Sequence, residues 1–387
     1  MKELSRITET FTESVIREMT RISDSLGGLN LSQGFPDFDS PVEIKLAAIQ
    51  AIANNWNQYP VTFGEPELRE AIGVKAKKYN RIVCNSQTDI TVTCGATEAM
   101  IATMKAIINP GDEIIIFEPF YENYGPDGIL SGATPRYVRL NPPSWEIDEM
   151  ELESAFNNKT KAIIINTPNN PTGKVFSKKE LTCIATLCQK WDVYAITDEI
   201  YEHILYDQSK HISIASLEGM NKRTITINSL SKTYSVTGWR VGWAIASPEI
   251  TSRIRKVHDF LTVGAPTPLQ HAGVIALNFN QDYYDSLREK YLVSRNFLYQ
   301  VLENTGFKPI MPNGAYYMIA DASSIVKSLK AETDTDLSIN LLKKTGVATV
   351  PGLSFYSSKN QFTKSVRFAF CKKQQTLHKV EELLRKI

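Results

Sequence analysis

Residues 227–243 read INSLSKTYSVTGWRVGW. The stretch begins where the β-branched run Thr224-Ile225-Thr226-Ile227 ends, and that run reads as a short strand heading into a core. Just beyond it stands Lys232 among small hydroxylated residues, with Arg240 eight positions on and Gly238 and Gly242 close by. By itself Lys232 reads as a solvated side chain. Its place at a strand end, beside Ser229 and Arg240, reverses that reading.

Working outward, the pattern alternates. Helical periodicity over 42–54 and 65–79 precedes strand-like Ile90–Thr93, and a helix after Gly95 leads to a strand over 113–117. The runs KAIIIN (161–166), VYAITD (193–198) and TITIN (224–228) follow, with a helix over 178–191 ahead of the second. Short, continuously apolar strands separated by helices predict an α/β fold whose mostly parallel central sheet is covered by helices on both faces. A long helix over 281–304 then leads into alternating strands, which predicts a smaller α+β unit. The expected division is an N-terminal arm over 1–42 that belongs with the smaller unit, a large unit over 43–278 and a C-terminal unit over 279–387. The arm carries one short amphipathic helix, expected over 11–23.

Composition excludes several classes. Forty-three Lys plus Arg against 42 Asp plus Glu leave a net charge of +1, with no basic stripe for nucleic-acid phosphates. Apolar runs such as Ile114–Phe117 are far too short to span a membrane. The first twenty residues mix both charge signs and lack an apolar segment, so no secretory signal is expected. Five cysteines without a CxxC pair fit reduced thiols in a cytoplasmic protein, and five scattered histidines give no support to metal catalysis.

In open α/β sheets, ligands bind beyond the carboxyl ends of the strands, so the residues there carry the candidate chemistry. Gly95-Ala96-Thr97 puts free backbone N–H groups at a helix N-terminus, which favours an anion. Ser229 adds a hydroxyl and Arg240 a guanidinium, a set suited to a phosphate dianion. Asp198 ends an apolar strand, where an unpaired carboxylate is costly to bury. Tyr201 follows three residues later, Asn170 lies in NNPTG, and Lys232 is the nucleophilic amine. A phosphate clamp, a buried acid, hydroxyl and amide donors and an amine together describe the needs of pyridoxal phosphate.

The segments LSQGFPDFDSP, QYPVTFGEPELREAI, CGATEAM, EPFYENY, INTPNNPTGKVF, TDEIYEHILY, NSLSKTYSVTGWRVGW, MPNGAYY and VRFAFCK occur in this order from Leu31 to Lys373. With them the chain resembles the class I aminotransferases of fold type I, pyridoxal-phosphate enzymes related to aspartate aminotransferase. It is similar above all to the branch of kynurenine aminotransferase (glutamine transaminase K) and bacterial methionine aminotransferase. The resemblance implies that Lys232 binds the cofactor covalently and then shuttles the proton. It implies that Asp198 pairs with the pyridine nitrogen, while Tyr201 and Asn170 bond the 3-oxygen. Ala96, Thr97, Ser229 and Arg240 would hold the phosphate, with Tyr59 of the other subunit of a homodimer. Tyr121 would stack on the ring, and Arg367, with Gly34 and Asn170, would take the substrate α-carboxylate. Some relatives carry Lys where this chain has Arg240.

The expected reaction is transfer of an amino group from an L-amino acid to a 2-oxo acid, in two half-reactions at one site. The donor is expected to be methionine, an aromatic amino acid, kynurenine or a glutamine-like residue, since Phe35, Tyr121, Tyr124 and Phe260 are placed near the pocket. Two enzymatic alternatives stay open: a cysteine-S-conjugate or cystathionine β-lyase, and an aspartate or broad aromatic aminotransferase. A cofactor-binding regulator is disfavoured, because the first forty residues are too short and too weakly basic for a DNA-binding segment.

Overall fold

The structure, a computed structural model, describes residues 2–358 and 362–387. Helix α1 (Val15–Ser25) and strand β1 (Leu29–Asn30) open the chain, followed by α2 (Val42–Ala53) and α3 (Pro66–Lys75). Next come β2 (Ile90–Thr93), α4 (Ala96–Ile107), β3 (Glu113–Glu118), α5 (Tyr124–Leu130), β4 (Thr134–Asn141), β5 (Glu146–Ile147), α6 (Glu149–Ala155) and β6 (Thr160–Asn166). Then follow α7 (Lys178–Trp191), β7 (Tyr194–Asp198), β8 (Thr224–Ser229), β9 (Gly242–Ile245), α8 (Pro248–Leu261) and α9 (Thr267–Leu277). The last section holds α10 (Gln281–Asn304), β10 (Lys308–Pro309), β11 (Tyr317–Asp321), α11 (Asp334–Thr345), β12 (Val347–Ala348), β13 (Val350–Pro351), β14 (Ser365–Ala369) and α12 (Gln374–Leu384).

Eight strands form the main sheet in the order β2-β9-β8-β7-β6-β3-β4-β5. The pairs from β8 through β7, β6 and β3 to β4 are parallel. Strand β9, absent from the sequence reading, is antiparallel between β2 and β8. It starts at the last two residues of the opening stretch, Gly242 and Trp243, sent back alongside β8 after a left-handed Arg240 (φ 55°). Apolar clusters bury both sides of the sheet. Ile163, Ile165 and Ala195 pack under α7, while Ile114, Ile164 and Ile225 pack under α4 and α8. This double burial is why β6 and β7 read as unbroken apolar runs rather than as alternating ones.

Capping explains the helix boundaries that differ from the periodicity. Ser14 accepts the N–H of Arg17 and starts α1 there, so the amphipathic pattern begins four residues after Phe11 and runs on to Ser25. Helix α7 begins where expected because Ser177 and Glu180 form a reciprocal capping box. Near the C-terminus a second sheet, β10-β11-β14-β13, is antiparallel throughout. The N-terminal β1 pairs in parallel with β12, Leu29 opposite Val347, which ties the first forty residues to the last hundred. No described helix is long and apolar enough to cross a membrane.

Candidate active site

The carboxyl ends of β2, β3, β6, β7 and β8 open onto one cavity of about 420 Å³, within the range typical of small-molecule sites. Ala96, Thr97, Tyr121, Asn170, Asp198 and Tyr201 stand on its wall, as do Gly34, Lys232, Arg240 and Arg367. These residues come from points 333 positions apart in the chain (367 − 34), and the fold gathers all of them.

Lys232 lies in the turn after β8, with Nζ donating to the Gly34 carbonyl at 3.2 Å. Burial pulls its ammonium down to about 8, and the charges of Arg240 and Arg367 add to the effect. Asp198 ends β7 and accepts the Tyr124 hydroxyl at 2.8 Å on one oxygen and the Ile200 N–H at 3.3 Å on the other. Burial nevertheless pushes its carboxyl up to about 6, against the Tyr124 hydrogen bond and the Lys232 charge. Tyr201 shares a hydrogen bond of 3.0 Å with Tyr317, and burial holds its phenol well above the ordinary value. It is a neutral hydroxyl at any physiological pH.

Arg367, in the middle of β14, is fully buried. One Nη donates to Asn170 Oδ1 at 2.8 Å, the other bonds the Ser32 carbonyl, and Nε has no partner among the described residues. Its guanidinium also lies over the rings of Tyr317 (4.3 Å) and Phe355 (4.9 Å). A buried cation without a carboxylate is costly, so this arrangement is built for an anion that arrives from outside. Asn170 is held from behind, its N–H donating to Asn166 Oδ1 at 2.7 Å while Asn166 Nδ2 donates to the Asp198 carbonyl at 3.0 Å.

The phosphate end is equally specific. No side chain caps α4, whose N-cap Gly95 has φ 85°. A Cβ added there would come 2.8 Å from Arg240 Cζ, so only glycine lets the guanidinium cross the helix N-terminus. Arg240 Nη1 donates to the Thr237 carbonyl at 3.0 Å and Nη2 reaches the Cys94 carbonyl at 3.5 Å, with the side chain on the cavity wall. Gly34 obeys the same constraint, since a Cβ would lie 2.6 Å from Tyr317 Cζ. Its carbonyl, already near Lys232, also accepts the Tyr316 hydroxyl at 2.9 Å.

Ser229 and Phe260 are placed differently from expectation, whereas Tyr59 was expected to act only in the other subunit's site. Ser229 is buried behind the wall, where its Oγ accepts the Ser231 N–H at 3.1 Å, and Ser231 lines the cavity instead. Tyr59 is 85% exposed and away from the cavity of its own chain. Phe260, placed near the pocket from the sequence, is 92% exposed at the end of α8 and is not on the wall. Tyr124, placed near the pocket as an aromatic, is the donor to Asp198, and Asn166, given no role from the sequence, donates to the Asp198 carbonyl. Asp198, the partner each of them meets, sits on a different element from either, so this meeting leaves no local signal. Next to the site, Glu199 and Glu202 approach His211 closely enough for a metal, but Lys75, Asn80 and Asn228 already donate to these carboxylates.

A family model described as aminotransferase class I and II matches residues 27–387. The chain belongs to this family. It is 38% identical to human kynurenine–oxoglutarate transaminase 3, over 97% of this chain and 88% of that protein. Among solved structures, the N-succinyldiaminopimelate aminotransferase of Mycobacterium tuberculosis superposes with a TM-score of 0.95 at 34% identity, covering 99% of both chains. An Escherichia coli protein with a methionine aminotransferase function follows at TM-score 0.93 and 31% identity, covering all of both chains. This aminotransferase is therefore a fold type I enzyme that works with pyridoxal 5'-phosphate. The donor set fits that group, with an uncapped helix N-terminus and Arg240 for the phosphate and an unpaired buried acid for the ring nitrogen.

Proposed function

We propose that this aminotransferase moves the amino group of an apolar, aromatic or sulfur-containing L-amino acid, such as methionine, phenylalanine or kynurenine, to a 2-oxo acid. The observation that carries the reading is the fully buried Arg367 with a vacant Nε donor, in one cavity with Lys232 and apolar walls from Ile16, Phe35 and Met100. The names of the relatives support the same range of donors.

Pyridoxal phosphate, when bound, supplies a carbonyl that condenses with amines and a ring that accepts the electron pair released at the donor Cα. The protein's own groups do the rest. Ala96 and Thr97 N–H groups and Arg240 hold the phosphate. Asp198, oriented by Tyr124, keeps a proton on the ring nitrogen, while Tyr201 and Asn170 bond the 3-oxygen. Tyr121 covers the ring and excludes water. Arg367 takes the α-carboxylate, assisted by Asn170 and the Gly34 backbone, and so aims the Cα–H bond at Lys232. Lys232 Nζ, whose pKa burial lowers to about 8, is the base that in its neutral form would remove that proton.

The division at about residues 42 and 278 belongs to the same proposal, supported by the pairing of Leu29 with Val347. So does a homodimer, in which the exposed Tyr59 reaches the phosphate of the second subunit. An absorbance titration tests the reading. The visible band of the purified protein is expected to bleach with methionine, phenylalanine or kynurenine and to return with a 2-oxo acid. Pyruvate and ammonia formed without an acceptor would instead assign the chain to the β-lyases.

A further inference from the structure

Of the tyrosines on the cavity wall, Tyr121, Tyr124 and Tyr201 already have roles, and Tyr317 has none. Tyr317 opens β11 and is buried. Ile319 of the same strand lies opposite Arg367 of β14, so Tyr317, two residues away, shares a sheet face with Arg367. The guanidinium lies over the Tyr317 ring at 4.3 Å. A phenylalanine would pack there equally well, so packing leaves the hydroxyl unexplained. A buried hydroxyl costs free energy unless it is bonded. This one shares a bond with the Tyr201 hydroxyl at 3.0 Å, the two rings meeting edge to face at 86° with centroids 5.8 Å apart. The backbone makes room for it, since a Cβ on Gly34 would strike the Tyr317 hydroxyl. Burial pushes the Tyr317 phenol up to about 12 and holds that of Tyr201 well above its ordinary value. Both are neutral at physiological pH, so the pair holds two protons and one of them lies in the shared bond.

Resting on the aminotransferase reading above, we propose that Tyr317 is a positioning residue: its hydroxyl donates to the Tyr201 oxygen and so commits the single Tyr201 proton to the 3-oxygen of pyridoxal phosphate. A phenol has one proton to give. Without the cofactor the shared bond can run either way round. Once Tyr201 gives its proton to the 3-oxygen, the shared bond survives only with Tyr317 as its donor. Each donor in such a chain polarises the next, and the effect is larger in a buried site than in water. The chain therefore strengthens the Tyr201 bond to an ionised 3-oxygen and favours that ionisation. The Arg367 charge over the ring pulls the Tyr317 phenol toward ionisation, against burial, which makes it the better donor. Asn170 is oriented from the same side, because its Oδ1 accepts from Arg367 and leaves Nδ2 for the cofactor. Tyr317 belongs to the smaller sheet and Tyr201 follows β7 of the larger one, so the smaller sheet sets the direction of a bond made at the end of the larger.

The test is a pH titration of the visible absorbance of the cofactor-loaded protein, which reads the midpoint at which the 3-oxygen ionises. Tyr317→Phe keeps the ring over Arg367 and removes only the hydroxyl. Its midpoint is expected about half a pH unit to one unit above wild type, the scale of one neutral hydrogen bond. In a Tyr201→Phe background the same substitution should move the midpoint by less than about 0.2 unit, because the bond it feeds is gone. Binding to cofactor-free protein gives a second readout. Tyr317→Phe should weaken pyridoxal phosphate by roughly three- to tenfold and leave 3-deoxypyridoxal phosphate within about twofold of wild type. An unmoved midpoint, or equal shifts in both backgrounds, would overturn the proposal. Equal weakening of both cofactors would do the same, since that is the mark of a side chain that only packs. Failure of the aminotransferase reading looks different, because wild-type protein would then form no visible band with pyridoxal phosphate, or one that no amino donor bleaches.

Discussion

Lys232 and Asp198 titrate in opposite directions from their ordinary values for one reason, burial that disfavours the charged form of each. Capture of the cofactor needs a neutral amine and an ionised carboxyl. Reconstitution of cofactor-free protein with pyridoxal phosphate is therefore expected to be slow in acid, rising through about 6 as Asp198 ionises and again through about 8 as Lys232 loses its proton. Stopped-flow absorbance from pH 5 to 9 reads both limbs; a flat profile contradicts the assignment. Tyr124 supplies the hydrogen bond that holds Asp198 down. Tyr124→Phe should move the acid limb upward and weaken cofactor binding by roughly tenfold, the effect of one hydrogen bond to a charged group. An unmoved limb would mean that Tyr124 merely fills space.

Between elements, the decisive contact is a buried ion pair that the mechanism does not touch. His258 on α8 donates Nδ1–H to Glu98 on α4 at 2.6 Å and Nε2–H to the Thr62 carbonyl at 2.7 Å, so both ring nitrogens carry protons. Burial opposes that charge, yet the Glu98 hydrogen bond and its negative charge leave the His258 pKa above 6.5. Glu98 is likewise lowered from 4.5, against burial, by His258 and Thr262. The pair thus ties the N-terminus of α4, where the phosphate is to sit, to the loop that carries Tyr59. A histidine with a raised pKa stabilises fully below its unfolded value, and a carboxyl with a lowered one does so above its own. The contribution is therefore greatest between about 4.5 and 6.5 and is lost as pH rises through the folded His258 pKa. His258→Phe should cost about 3 kcal/mol, as breaking a buried pair does, and flatten that alkaline decline in chemical denaturation. Equal pH dependence in variant and wild type would refute the account. The strands and helices themselves were largely readable, α7 and α10 starting and ending where periodicity and caps placed them. Strand β9 was not, because four residues rich in glycine and tryptophan show no β-branched run.

At the scale of the molecule, an apolar surface remains uncovered. Leu46, Ile49 and Ile52 form one exposed stripe of α2, Ile49 at 62%. Trp56, its ring tilted at 45° against His271 of α9 with centroids 4.2 Å apart, Tyr59 and Phe260 are exposed as well. Such a patch costs free energy in water, and in the proposed homodimer a second copy of the chain would cover it and bring Tyr59 to a phosphate site. Sedimentation at micromolar concentration is expected to give twice the mass of one chain. Ile49→Asp should shift the mass toward one chain and remove most activity; a fully active monomer would sink the shared-site reading. The sequence alone determined the α/β order, the parallel strands and the residues that end them, Lys232, Asp198 and Asn170 included. Burial on both faces and helix caps are local demands, written into neighbouring residues. Tertiary structure alone decided that Tyr124 serves Asp198, that Asn166 reaches the Asp198 carbonyl, and that Arg367 meets Asn170 and the Ser32 carbonyl. These contacts join segments that only sheet order and the returning N-terminal arm bring together, and no periodicity along the chain encodes such meetings.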